Sequence, residues 1–484
     1  MHLKRECFTN STSVMMTLFI AIMLLLAYAF IATAHLTYVN KAAIAMFSCT
    51  LGWVIYICFG TDFVTSQHLH DYREFLSAVQ PTSVTVKYFI YDNVFLKHVG
   101  RAASVVLFLL ATMQIIEILN NNGCFDFVSE WIRTRNSKRI LWSLTFITFL
   151  ISANLDNLTT TAMMLMVMHR IVQNRRQRML IGTAIVVAAN AGGCFTVIGD
   201  PATVALWGDG AVTATHFSAY LAGPALVAWG VTTALIGRSL PDRLDVEWQA
   251  APYRGDDTNL NRWQRMVMLI VGIGGLWFIP TFHNITKLSP FLGALCVLSI
   301  LWVVNEVFNR KLMAADQMFQ SRVPRSLQYE TIQQILYVMG IMLTIGVVKE
   351  TGLFGEVSEW MDYNIHNVWV YGLISGIASG LVDSFTIAMT QISMYSVVEG
   401  NIDRWVDSSY MAQFMQNGTY WKTIVFSTSI GGCLLGYANV SGLALMKMER
   451  MRVGWYFKNC TPKVMAGWLL GLGVLFAECY FIPS

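Results

Sequence analysis

The polar stretch SANLDNLTTT, which contains Asp156 and Asn157, lies between two apolar arms at about 140–151 and 162–172. Each arm is too short to cross a bilayer, because a transmembrane helix needs roughly 20 apolar residues. The outer ends of both arms carry arginine and lysine clusters, which mark the cytoplasmic side of a membrane. The pattern predicts a re-entrant hairpin over 139–172 that opens to the cytoplasm and has the aspartate at its tip. A carboxylate inside the membrane costs about 3 kcal/mol, which indicates a functional role.

The composition places most of the chain in a lipid bilayer. Hydrophobic residues make up 55% and charged residues 13%, and the net charge is only +4. The basic residues fall in short loops, as topology determinants do, so no nucleic-acid partner is expected. The nine cysteines show no metal-ligand spacing, so neither a disulfide framework nor a cofactor is expected. The chain lacks an ATP-binding motif of the Walker type, which argues against a primary pump.

The N-terminal apolar run has two interpretations. Lys4 and Arg5, the run 14–31 and the small residues from Ala32 to Ala34 resemble a cleavable signal peptide. The run is nevertheless long enough to span a bilayer. The internal repeat described next also requires it as a helix, so we expect it to be the first transmembrane helix.

The order of apolar runs predicts an all-α polytopic membrane protein with two repeats, 1–238 and 262–484, joined by a cytoplasmic linker at 239–261. Each repeat is predicted to contain three transmembrane helices, a re-entrant hairpin, an interrupted helix and a final helix. The hairpin tips DNLT and DSFT match, as do the GGC motifs of the interrupted helices. The predicted spans lie at about 14–34, 40–60, 99–119, 179–208 (interrupted), 215–237, 263–281, 289–308, 329–348, 421–446 (interrupted) and 464–482.

The charges around the second hairpin, 367–399, give the orientation of the repeats. Its ends are poor in basic residues and rich in acidic residues, so it is expected to open to the outside. The first hairpin is expected to open to the cytoplasm and the second to the outside, so the two repeats are inverted. Counting back from the first hairpin places the N-terminus outside. Inverted repeats with paired broken helices are typical of secondary transporters that bind their cargo near the membrane midplane. The connection 61–98 is expected to be external and to hold a surface amphipathic helix, and Glu350 and Glu478 are expected at the ends of spans.

Polar side chains at the hairpin tips and helix breaks are the candidate ion- and proton-binding groups. They are Asp156, Asn157, Asn190, Asp200, Thr203, Asp383, Ser384, Ser427 and Asn439. The helix breaks are predicted at Gly192, Gly193, Gly199, Pro201, Gly431, Gly432 and Gly436. Broken helices free carbonyl groups, and oxygen ligands of these types suit hard cations. For each acid the alternative role is a helix cap, and for each glycine it is a helix contact.

Three acids, Asp156, Asp200 and Asp383, with no matching lysine or arginine inside the membrane favour Na+ or Li+ over an anion. Burial disfavours a charged carboxylate and a neighbouring cation favours it, so one aspartate can hold either a proton or a metal cation. If only the loaded states reorient, the result is exchange. The predicted partners are therefore monovalent cations, protons and the lipid bilayer, and a homodimer is one alternative for the assembly state.

These motifs resemble the NhaD-type Na+/H+ antiporters of the ion transporter superfamily. They are SANLDNLTT, ANAGG, IGDPAT, GLVDS and SIGG, which follow one another in this order. The resemblance implies two inverted repeats, a location in the inner (plasma) membrane, and Na+ or Li+ efflux driven by proton entry. It also implies ion-site roles for Asp156, Asn157, Asn190, Asp200, Thr203, Asp383 and Ser427. The second half departs from the family pattern at Ser384 and at 438–442, so cation binding is expected to rest mainly on the first half.

Two other functions use some of the same features. A carrier of an anionic substrate such as a dicarboxylate, citrate or arsenite would share the fold, but carriers of that kind favour neutral hairpin tips, by the same family resemblance. An intramembrane aspartyl protease would also use two membrane aspartates that share a proton. Its aspartates would lie in continuous helices without inverted hairpins. The sequence therefore predicts a transporter rather than an enzyme, with cation/proton exchange as the first hypothesis.

Overall fold

The computed structural model describes residues 11–37, 39–77, 82–125, 134–246, 260–309, 325–400 and 407–481. These residues are almost entirely helical and form no β-strand, which confirms the predicted all-α class. The first half contains α1 (Ser11–Thr37), α2 (Lys41–Cys58), α3 (Gly60–Gln67), α4 (Leu69–Leu76), α5 (Ser83–Phe89), a π-helical turn (Ile90–Phe95), α6 (Leu96–Asn121), α7 (Ser137–Ser152), α8 (Asn157–Ile171), α9 (Arg175–Cys194), α10 (Pro201–Gly208) and α11 (Ala214–Gly237).

The second half has a similar order of elements. It contains α12 (Arg262–Leu269), a π-helical turn (Ile270–Gly274), α13 (Gly275–Thr286), α14 (Pro290–Phe308), α15 (Arg325–Glu350), α16 (Leu353–Asn364), α17 (Val368–Leu381), α18 (Ser384–Met394), α19 (Ser408–Met411), a 3-10 turn (Ala412–Phe414), α20 (Thr419–Gly431), α21 (Val440–Met448), α22 (Val453–Asn459) and α23 (Thr461–Phe481).

Eight helical segments within the described ranges are long and apolar enough to cross a membrane. They are Met15–Thr37, Lys41–Cys58, Val84–Asn121, Ala214–Gly237, Arg262–Thr286, Pro290–Phe308, Ile332–Glu350 and Thr461–Phe481. They coincide with the eight uninterrupted spans that the sequence predicts, so the polytopic membrane class is confirmed. In the most apolar part of the Ile332–Glu350 span, 67% of the residues are buried, against 28% in that of the first span. Helix α15 is therefore central and α1 peripheral.

The third span begins earlier than predicted. Helix α5, the π-helical turn and α6 follow one another without interruption, so the span starts at Val84 rather than near residue 99. The polar side chains of Asp92 and Asn93 interrupt the apolar pattern in the sequence, although Phe89 and Ile90 beside them are fully buried. The predicted external connection 61–98 is therefore shorter, and its first part forms α3 and α4.

Both predicted hairpins are pairs of short helices. Hairpin 1 consists of α7 and α8, and hairpin 2 consists of α17 and α18. The interrupted helices are α9–α10, with a break at 195–200, and α20–α21, with a break at 432–439. The second arm of hairpin 2 ends at Met394, a few residues before its predicted end. The short arms are thus the expected half-length helices.

Part of the predicted linker packs on the ends of hairpin 1. The Ser137 N–H donates to the Asp242 carbonyl at 3.1 Å, and the Gln173 N–H donates to the Asp245 carbonyl at 3.0 Å. The rest of the linker, 247–259, lies outside the described residues. The domain boundaries drawn from the sequence stay a prediction.

The two halves repeat the same contacts between hairpin and interrupted helix. The Ser152 hydroxyl donates to the Ala189 carbonyl at 2.7 Å, and the Ser379 hydroxyl donates to the Thr428 carbonyl at 2.5 Å. Ser152 precedes Asp156, at the tip of hairpin 1, by the same number of residues as Ser379 precedes Asp383 in hairpin 2. The halves therefore resemble each other in packing as well as in element order, and their inverted orientation stays a prediction.

Candidate ion-binding site

Each of the three predicted aspartates is the N-cap of a short helix. One Asp156 oxygen (Oδ2) accepts the N–H groups of Leu158 and Thr159, both at 3.1 Å, at the start of α8. Asp200 caps α10, where its Oδ1 accepts the Ala202 N–H at 2.9 Å. Asp383 caps α18 through Oδ2, which accepts a backbone N–H at 3.1 Å. The helix-cap alternative is thus present at all three positions, but the cap uses only one oxygen of each carboxylate.

The second oxygen of each carboxylate contacts a different element. Asp200 Oδ2 accepts from Asn157 Nδ2 at 2.9 Å, and Asp156 Oδ1 accepts from Gln334 Nε2 at 3.3 Å. Asp383 Oδ1 instead accepts from the ammonium group of Lys41 at 3.2 Å. The two first-half aspartates therefore face neutral amides, whereas the second-half aspartate faces a cation.

Three asparagines connect hairpin 1 with both interrupted helices. The Asn157 amide donates to Asn190 Oδ1 at 3.1 Å as well as to the carboxylate described above. The same Asn190 oxygen accepts a hydrogen bond from Asn439 Nδ2, in the second interrupted helix. All three side chains are buried. The structure thus joins Asp200, Asn157, Asn190 and Asn439 into one polar chain.

Among the described residues, no lysine, arginine or histidine forms an ion pair with Asp156 or Asp200. No group of three or more His, Cys, Asp or Glu side chains within the same ranges forms a metal-binding cluster. The three aspartates therefore do not converge on one point. A cation here would be coordinated by one or two carboxylates together with amide and carbonyl oxygens.

The remaining predicted ligands have other contacts. The Thr203 hydroxyl donates to the Asp200 carbonyl at 2.7 Å and accepts the Asp200 N–H at 3.3 Å, so it shapes the start of α10. The Ser427 hydroxyl is buried, has no hydrogen-bond partner among the described residues, and faces Gly372 of hairpin 2. Ser384 is partly exposed and packs against Gly432. Neither serine extends the asparagine chain.

The predicted helix-break glycines are sites of close approach. A Cβ on Gly192 would lie 2.3 Å from the Phe149 carbonyl oxygen of α7, and a Cβ on Gly431 would lie 2.4 Å from the Gly376 carbonyl oxygen of α17. Gly193 and Gly199 approach each other in the same way, and Pro201 is the first residue of α10. Gly436 has a φ of 72° within the second break. Helix contact, the alternative role for these glycines, is therefore a major part of what they do.

Two lysines contact buried groups that the sequence did not connect with them. Lys41 forms the ion pair with Asp383, and Lys422 of α20 is fully buried, with its Nζ 4.0 Å from the centre of the Tyr220 ring. The expectation that no lysine or arginine matches the three aspartates was therefore wrong for Asp383. Lys41 is the first residue of α2, and nothing in its local sequence indicates a partner in hairpin 2. A pattern of hydrophobicity shows where a span begins but cannot show such a distant contact.

A cavity of about 750 Å³ lies beside the site. Its wall includes Lys41 and Gln334, the direct partners of Asp383 and Asp156. The loop that follows α21 also borders it through Arg450, and the basic residues in and around this loop predict a cytoplasmic position. The cavity is thus a candidate passage between the cytoplasm and the two hairpin tips.

Two carboxylates outside the hairpins, the partly buried Glu350 and the buried Glu449, also have partners that the sequence did not indicate. Glu350 accepts from His68 at 2.5 Å and from His98 at 2.7 Å, where α15 meets the segment after α3 and the start of α6. Glu449, after α21, contacts Arg178 at 2.8 Å and His169 at 3.2 Å. Both clusters join elements at the ends of the spans.

Spanning helices, two short-armed hairpins, two interrupted helices and buried carboxylates at their breaks together define a multi-pass membrane transporter. The chain belongs to the CitMHS family, described as citrate transporters, whose model matches residues 10–415. This membership and the apolar helices make it a multi-pass protein of the plasma membrane.

Curated relatives also match the chain at modest identity. Sodium/proton antiporter 1 of Arabidopsis thaliana is 29% identical over 383 residues, which is 78% of this chain and 62% of the relative. Sodium/proton antiporter 2 of the same plant is 28% identical, over 77% of this chain and 84% of the relative. The Na+/H+ antiporter NhaD of Vibrio cholerae is 24% identical, over 76% of this chain and 77% of the relative. The resemblance to NhaD-type antiporters is thereby confirmed, although the chain spans less than two thirds of the first of these relatives.

Proposed function

We propose that this protein is a secondary antiporter that exchanges Na+ or Li+ for H+, with the two ions competing for Asp156 and Asp200. The observation that carries the proposal is the buried hydrogen-bonded chain from Asp200 through Asn157 and Asn190 to Asn439. Among the described residues, no basic side chain pairs with Asp200 or with Asp156, the neighbour of Asn157 in the sequence. The names of the relatives, which are Na+/H+ antiporters, support it independently.

Competition follows from the position of these carboxylates. A buried carboxylate without a paired cation favours its protonated form, and a bound metal cation favours the charged form. Each ion therefore lowers the affinity for the other. If the empty, charged site cannot reorient between the two sides of the membrane, entry of a proton from one side drives release of the cation on the other.

Asn157 is suited to change its contacts between the two loaded states. Its Nδ2 donates to Asp200 Oδ2 and to Asn190 Oδ1, so both oxygens accept a hydrogen bond from the same amide. A rotation of the amide presents its oxygen to the same point, where a cation requires oxygen ligands. The proton-loaded site retains the present hydrogen bonds, and the cation-loaded site exchanges them for metal contacts.

The test uses everted membrane vesicles that contain the protein and hold a pH gradient. Addition of NaCl or LiCl is expected to collapse the gradient for the unchanged protein, whereas KCl serves as a comparison. Asp156→Asn is expected to abolish the response, since asparagine still caps a helix but binds no proton. Asp407→Asn is the matched control, because Asp407 caps α19 in an exposed position away from the site. Loss of the response in both variants, or in neither, would refute the role of Asp156.

A second candidate is transport of an anion such as citrate. The wall of the 750 Å³ cavity contains His35, Lys41, Lys447 and Arg450, which suits a carboxylate-bearing substrate. The description of the family as citrate transporters also favours it. Citrate and malate are therefore added separately to the same vesicles. A gradient that collapses with citrate or malate and with no metal cation would establish the anion carrier instead.

A further inference from the structure

The ammonium group of Lys41 lies in a site made of oxygens from the second half of the protein. It is 3.2 Å from Asp383 Oδ1, 3.2 Å from the Ala438 carbonyl and 3.5 Å from the Tyr437 carbonyl. The aspartate is fully buried, and the lysine side chain is 11% exposed. A single positive charge is therefore surrounded by one carboxylate and two carbonyl oxygens of the broken helix.

These oxygens correspond to the candidate cation site of the first half. Asp383 caps the second arm of hairpin 2 as Asp156 caps the second arm of hairpin 1. Residues 437 and 438 come directly before Asn439, which caps α21 as Asp200 caps α10. Their carbonyls therefore belong to the second break. One carboxylate with the free carbonyls of a broken helix is a ligand set for a monovalent cation. The lysine supplies such a charge from within the chain.

The surroundings direct Lys41 to this position. Asn40 caps α2 and accepts the Ala42 N–H at 2.9 Å, which sets where the lysine leaves the helix. The last turn of α1, just before it in the chain, contacts the second break through His35, whose ring stacks on Tyr437 with the ring centres 4.0 Å apart. The other oxygen of Asp383 already accepts the N–H and the hydroxyl of Thr386, so Oδ1 is the one available for a cation.

We propose that the Lys41 ammonium is a tethered cation that occupies the second ion site, so that the protein binds one metal cation, in the first half. The proposal rests on the cation/proton exchange proposed above and deepens it. It accounts for the expectation that cation binding rests mainly on the first half. It also implies that removal of the ammonium frees Asp383 and the two carbonyls for a second Na+.

The test counts bound ions in the purified full-length protein with radioactive sodium at saturating concentration. The unchanged protein is expected to bind one Na+ and Lys41→Gln two, which is a twofold increase. Lys41→Arg, which retains the charge, and the double variant Lys41→Gln with Asp383→Asn are each expected to bind one. Lys138→Gln is the matched control, because Lys138 is an exposed lysine in the first turn of α7 and is expected to leave the count at one.

A count of one for a folded Lys41→Gln variant, or a count of two for the unchanged protein, would overturn the proposal. Asp383→Asn provides a second test if Lys41→Gln does not fold, because asparagine retains the cap. It is expected to leave one bound Na+, and loss of binding would show that Asp383 holds the transported ion. Absence of any Na+ binding by the unchanged protein would refute the proposed exchange as well, so the two failures are distinguishable.

Discussion

Asn439 of the second interrupted helix donates a side-chain hydrogen bond to Asn190 of the first. The same Asn190 oxygen accepts from Asn157 at 3.1 Å, so hairpin 1 and both interrupted helices meet at one amide. Asn439 caps α21 in the position that Asp200 takes at α10. The second half therefore contributes an amide at the equivalent point where the first half contributes a carboxylate.

We predict that Asn439→Ala weakens Na+ binding without removing it. The substitution deletes the hydrogen bond to Asn190 and the side-chain cap of α21, and it leaves the Asp200 carboxylate and the Asn157 amide in place. A buried hydrogen bond of this kind contributes about 1 kcal/mol, so the half-maximal Na+ concentration in the vesicle assay should rise about fivefold. Asn364→Ala is the control, because Asn364 donates only to an exposed helix carbonyl. An unchanged Na+ dependence would contradict a role of Asn439 in the site.

A second prediction concerns the contact between each hairpin and its interrupted helix. Gly192→Ala and Gly431→Ala each place a Cβ within 2.4 Å of a carbonyl oxygen on the facing hairpin arm, so backbone must move. We expect each variant to lose about 1–3 kcal/mol of stability, as overpacked helix contacts do, and to lose transport. Gly454→Ala is the control, since no atom of the described residues beyond its own helix turn lies within 4 Å of its Cβ position. Thermal melting in detergent and the vesicle assay measure the two effects, and a melting temperature equal to that of the control would contradict the prediction.

The sequence predicts elements that depend on local pattern. Spans, short arms and breaks follow from runs of apolar residues, glycine and proline, so hairpin 1 and the positions of Asp156 and Asp200 could be found without a structure. The partners of the aspartates could not, because Gln334 and Lys41 lie far away in the chain and occupy ordinary positions in their helices. Polar residues near Asp92 also hid the true start of the third span, because burial of its neighbours depends on packing that a hydrophobicity pattern does not contain.

The hydroxyl of Thr203 is predicted to determine the shape of the first break rather than to bind the ion. It bonds both the carbonyl and the N–H of Asp200, and it is fully buried. Thr203→Val retains the volume but removes the hydroxyl. The Asp200 carbonyl keeps the Val204 N–H at 3.1 Å, whereas the buried Asp200 N–H loses its acceptor, which costs about 1–3 kcal/mol. We therefore expect lower stability and slower transport for Thr203→Val, whereas Thr203→Ser retains both. Thermal melting and initial rates at saturating Na+ test this, and poor transport by the serine variant would contradict it.

The contact between His68 and Glu350 is predicted to contribute stability that is lost at alkaline pH. The hydrogen bond with Glu350 raises the pKa of His68 above its usual value near 6.5, and the charges of Glu350 and Asp71 act in the same direction. A group whose pKa is raised by folding contributes stability that is complete below its unfolded pKa and is lost as the pH rises through the folded pKa. The difference in melting temperature between the unchanged protein and His68→Gln should therefore be largest at mildly acid pH and shrink at alkaline pH. His70→Gln is the control, because the side chain of His70 is 93% exposed. A difference that stays constant or grows with pH would mean that His68 contributes through packing rather than through its charge.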